Sequence, residues 1–138
     1  MKTEIAPDVQ EMMDEIVEKL EMPIDTKRVV CMRTYDSKSN AYARIWAFPK
    51  IWQKALAMEP VYIVEVISNH FDKLNEEDKQ KTIIHELLHI PKRFSGGLVP
   101  HKCFGQKIDR KRVEKIFMDF KQKPEKFIEK KDGIIEML

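Results

Sequence analysis

Residues 75–91, NEEDKQKTIIHELLHIP, decide the fold. Asn75 can cap a helix start, and Glu76, Glu77 and Asp78 follow where the positive end of a helix favours acids. Thr82, Ile83, Ile84, Leu87 and Leu88 then supply an apolar stripe at helical spacing. Pro91 follows Ile90, and a residue before proline avoids helical geometry, so this helix is expected to end near His89. Within it stands His85-Glu86-Leu87-Leu88-His89. Residues four apart on a helix lie one above the other on the same face. His85 and His89 can therefore grip one metal ion, and Glu86 can hold a water on it.

The 138 residues are the size of one domain, 1–138, enough to bury about two thirds of the unfolded chain's surface. With 43% hydrophobic and 35% charged residues the chain reads as globular rather than disordered. No apolar run approaches the roughly 20 residues of a membrane helix. The start, MKTEIAPDVQ, is too acidic and polar for a signal peptide. Two cysteines, Cys31 and Cys103, make no disulfide framework. A cytoplasmic protein is the simplest expectation. Charge is split: residues 1–90 hold 12 Lys/Arg against 16 Asp/Glu, and residues 91–138 hold 13 against 7. The basic half suits weak, non-specific, salt-sensitive contact with nucleic acid through residues 92–131, although a solvated lysine surface is commoner.

Outward from the motif, Val9, Met12, Met13, Ile16, Val17 and Leu20 mark an amphipathic helix ending before Pro23, its methionines serving as core filler. Residues 27–35 read as a strand with Val29, Cys31, Arg33 and Tyr35 on one face. Residues 36–40 form a polar turn and residues 41–48 a second strand. Pro49 opens a short helix carrying Ile51, Trp52, Ala55 and Leu56. Residues 61–68 are a third strand, on which Glu65 is expected to face solvent. Residues 90–105 form a loop with a Gly96-Gly97 hinge. Asp109 caps a last helix with Val113, Ile116, Phe117 and Phe120 inward; Pro124 and then Gly133 interrupt. The order predicts an α+β fold: a small sheet packed against the motif helix, with flanking helices.

A catalytic zinc has three protein ligands and an open position. For the third ligand, ligand chemistry favours His101, 12 residues after His89, within easy reach of the return. Cys103 and Glu114 are alternatives, and His70 can also approach. One zinc ion per chain and a peptide or protein substrate follow from this kit, with Glu86 as general base. Arg33, Tyr35, Tyr42, Arg44, His70 and Lys102 are candidate donors to the developing oxyanion.

HELLHIP (85–91), FSGGLVPH (94–101), YIVEVISNHFDKL (62–74) and ARIWAFPKIWQKAL (43–56) together resemble a family of small predicted microbial and phage-encoded metallopeptidases. These are minimal zincins, grouped loosely with SprT/Spartan-like proteases. The resemblance runs from about Arg28 to Lys102. It implies a zincin-like fold, a zinc site of His85, His89 and His101, and Glu86 as general base. The metzincin extension is absent, since Lys92 and Ser95 stand where it needs glycine and histidine. No C-x-x-C ribbon is present either. The alternative to an enzyme is a catalytically weak zincin scaffold that binds nucleic acid or protein as a regulatory module.

Overall fold

A computed structural model describes residues 2–103 and 106–124. Expectations for residues 125–138 lie outside the described residues. The chain opens with a strand, β1 (Lys2–Ile5), and a helix, α1 (Pro7–Leu20). Then come β2 (Val29–Tyr35), β3 (Ala43–Ala47), α2 (Lys50–Ala55), β4 (Tyr62–Ile67) and a single-turn α3 (Ser68–Phe71). The motif helix is α4 (Glu76–Leu87); a hairpin of β5 (Lys102–Cys103) and β6 (Gln106–Lys107) leads into α5 (Arg110–Gln122). The architecture is α+β, with a four-stranded sheet of order β1-β2-β4-β3.

In the centre, β2 and β4 run parallel, with Val29, Cys31 and Arg33 opposite Tyr62, Val64 and Val66. A parallel pair needs a crossover, here made through β3 and α2. β3 returns antiparallel along the outer edge of β4. Period-two alternation sends Val29, Cys31, Tyr62, Val64 and Val66 to one face, all buried. That face receives Val9, Met13, Ile16 and Val17 of α1, Ile83, Ile84 and Leu87 of α4, and Val113, Phe117 and Phe120 of α5. Each such side chain, fully buried, contributes about 1.5–3 kcal/mol.

Both expected N-caps form. Asn75 Oδ1 accepts from the Asp78 amide at 2.8 Å, and Asp109 Oδ1 accepts from the Arg112 amide at 2.9 Å. Arg33 lies on the core face, and its guanidinium is taken up by two aspartates. Its guanidinium meets both Asp8 oxygens at 2.9 Å and Asp72 at 2.9 and 3.1 Å, joining the start of α1 to the end of α3.

One local expectation, on Glu65, is corrected, and two further features were not read from the sequence. β1, invisible in a short polar segment, pairs antiparallel with β2. Ile51 and Trp52 stand 75% and 56% exposed, because α2 turns inward through Gln53, which donates to the Phe48 carbonyl at 2.7 Å. Glu65 is 9% exposed rather than solvated, because Thr34, Trp46 and Arg44 close over it.

Candidate metal centre

The motif helix ends at Leu87, two residues before His89. The backbone then tightens: the His89 amide donates to the Glu86 carbonyl at 3.1 Å and the Ile90 amide to the Leu87 carbonyl at 3.0 Å. This turn keeps the His85 and His89 rings 5.3 Å apart between centroids. His101 joins them, with its ring 5.3 Å from His85 and 4.6 Å from His89. One ring nitrogen from each lies within 4.8 Å of the others.

Nε2 of His85 and Nε2 of His101 face each other at 3.3 Å. Two ligands about 2.0–2.1 Å from one tetrahedral ion stand about 3.3–3.4 Å apart, so this pair already has the spacing of ligands to a shared cation. Burial first, then the neighbouring imidazoles, hold His85 below the ordinary histidine range. Burial, aided by His101, does the same to His89 against an opposing hydrogen bond to Val99. Both rings are therefore neutral near pH 7, the form that offers a lone pair.

Residues 91–100 bring His101 back, and the tether is fixed at both ends. The Val99 amide donates to the His89 carbonyl at 2.7 Å, while His89 Nδ1 bonds the Val99 carbonyl in return. A proton on Nδ1 leaves Nε2 free as a metal ligand. Farther back, the buried Tyr62 hydroxyl accepts from the Gly96 amide at 2.9 Å and donates to the Gly97 carbonyl at 2.8 Å. Phe94 packs edge-on to the Tyr62 ring. The Gly96-Gly97 pair is thus a pinned turn rather than a hinge. Gly96 has φ +96°, and a Cβ there would come within 2.6 Å of Gln53 Nε2. On the far side, the Ile108 amide donates to the His101 carbonyl at 2.8 Å.

Glu86 is 8% exposed, and burial pushes its carboxyl up to about 7. With His85 it lines a cleft of about 680 Å³ between α4 and α5, whose walls include Tyr42, Arg110 and Glu114. Of the alternative ligands, Glu114 is ion-paired to Lys81 at 2.7 Å. His70 sits away from the cluster, its Nε2 at 3.0 Å from the Ser39 carbonyl. The Cys103 side chain lies outside the described residues. Arg44 reaches Glu65 and Tyr35 reaches Glu4, so of the described oxyanion candidates only Tyr42 lines the cleft. Sequence reasoning missed Val99 and Tyr62. A backbone carbonyl and a mid-strand tyrosine carry no local signal for holding a ligand loop.

A three-imidazole cluster beside a buried carboxyl suits a metal ion that works on water. Residues 1–123 match a family described as "Putative phage metallopeptidase", and the chain belongs to that family. It is thus related to metal-dependent peptidases. No curated protein and no solved structure matches it. Among the described residues no helix is long and apolar enough to cross a membrane.

Proposed function

We propose that the chain is a zinc-dependent peptidase of zincin type, one domain over residues 1–138, working in the cytoplasm. His85, His89 and His101 hold the ion, and Glu86 is the general base. The convergence of three ring nitrogens within 4.8 Å carries this reading. Zinc bound there supplies Lewis acidity, polarising the scissile carbonyl and acidifying water. Glu86 takes the proton of the attacking water and returns it to the leaving amine, the work of a general base beside the ion. Val99 fixes the orientation of His89, and the α4–α5 cleft holds the peptide beside the reacting carbonyl. The family favours this enzyme over the scaffold alternative, and nucleic-acid contact gains no support from it.

Metal analysis tests the reading. The wild type is expected to keep one zinc per chain after dialysis. His101→Ala should lose it, because two imidazoles hold zinc poorly. A zinc-free reconstituted wild type, or full zinc in His101→Ala, would move or remove the site.

A further inference from the structure

We propose that Arg110 is the specificity residue of the cleft, receiving a carboxylate of the peptide substrate next to the metal centre. The proposal rests on the peptidase reading above. α4 and α5 run antiparallel along the cleft: Glu77 pairs with Lys121 at 2.8 Å, and Lys81 with Glu114 at 2.7 Å. Continuing that course brings Arg110, at the start of α5, level with His85 and Glu86, and all three line the cleft.

The other charges of the cleft are accounted for. Lys81 and Glu114 neutralise each other. Asp78 lies seven residues before His85 on α4, about 10 Å away along the helix axis. Arg110 alone among the cleft's cations has no acid within ion-pair distance among the described residues, and it is exposed.

Local structure does not explain a cation there. The first turn of a helix favours acids, and α4 obeys with Glu76, Glu77 and Asp78. In α5 the first turn holds Arg110, Lys111 and Arg112 and no acid. Arg112 bonds the Lys107 carbonyl at 3.1 Å, whereas Arg110 makes no such bond among the described residues. A guanidinium offers a planar fork that matches a carboxylate, and here it would do so in the cleft that His85 and Glu86 also line. Two groups of a peptide carry that chemistry: the α-carboxylate of its C-terminus and an aspartyl or glutamyl side chain.

Three dipeptide hydroxamates, identical except for charge, separate these cases by calorimetry on the zinc-loaded full chain. One ends in an amide with apolar side chains, one in a free carboxylate, and one in an amide with a glutamyl side chain. The wild type is expected to bind one acidic ligand about tenfold tighter than the neutral amide, as a charge-assisted hydrogen bond allows. Which acid gains identifies the carboxylate that is read. Arg110→Lys should keep part of that preference and Arg110→Gln none, with zinc content unchanged in both. Equal affinity for all three ligands in the wild type overturns the proposal, as does a preference that survives in Arg110→Gln. Those results leave the peptidase reading standing, because the neutral hydroxamate still binds. Failure of every hydroxamate to bind the zinc-loaded wild type overturns the peptidase reading and this proposal with it.

Discussion

Glu65 and Glu86 are equally buried, 9% and 8% exposed, yet their carboxyls are pushed in opposite directions. Glu65 lies mid-strand on the sheet face turned away from the helices. Burial alone would raise it, but the Thr34 hydroxyl, Trp46 Nε1 at 2.8 Å and Arg44 at 3.3 Å outweigh burial and hold it below the usual range. Glu86 has burial and no compensating donor among the described residues, and rises to about 7. The same residue type at the same depth is held below its usual range in one place and pushed up in the other. The difference lies in the partners, not in the depth.

The sharpest way to break this contrast is Glu86→Gln. Glutamine keeps the shape and hydrogen-bonds water, but cannot take a proton at neutral pH. Zinc content should stay at one per chain while peptide hydrolysis falls about 10²–10⁴-fold. A variant that cleaves like the wild type removes Glu86 as the base.

The matching change at the other carboxylate should act on stability instead. Glu65→Ala strands Thr34, Trp46 and Arg44 without their shared acceptor. Urea unfolding should record a loss of about 2–4 kcal/mol, with zinc content and cleavage by the folded fraction retained. A loss of zinc without loss of stability would mean that the two sites are coupled after all.

The smallest effect is the most diagnostic, and it is a matter of sign. In metal-free protein the folded pKa of Glu86 lies above its unfolded value near 4.5. Ionising it therefore costs stability as pH climbs from about 4.5 to about 7. Below 4.5 that cost is absent. Glu86→Gln should raise the Tm of metal-free protein at pH 8, by at most about 3 kcal/mol in free energy, and leave it unchanged near pH 4. Glu65 is the reverse: its folded pKa is depressed, so its contribution is present above the unfolded value and fades as pH falls through the folded one. Glu65→Gln should therefore cost Tm at pH 8 and progressively less in acid. Thermal scans of both variants at the two pH values check this; shifts of the same sign at pH 8 would refute the contrast.

What the sequence made legible was local. The caps at Asn75 and Asp109, the stripe of α4, and the facing of Val29, Cys31 and Arg33 all follow from spacing within a few residues. The i, i+4 placement of His85 and His89 does too. What escaped was non-local. Glu65 was correctly placed away from the core face, but its burial depends on β2 and β3, 31 residues before it and 19 residues before it. Arg33 finds its acids 25 and 39 residues away. The β5–β6 hairpin is two residues a side, too short for an alternation to register. For His101 the sequence offered a reachable candidate; the pinning of its loop by Tyr62 came only with the folded sheet.

That pinning sets a clock. A free ten-residue loop closes in about 10–100 ns, so a ligand on it would leave and return on that timescale. Here the closure entropy of residues 91–100 is already spent in folding, and the backbone that carries His101 can withdraw only when the Tyr62–Gly96–Gly97 and His89–Val99 bonds open. Withdrawal of that backbone is thereby tied to the local unfolding of a tyrosine-anchored strap. The backbone amides of Gly96 and Val99, each bonded within that strap, become its reporters: their hydrogen exchange reads how often it opens.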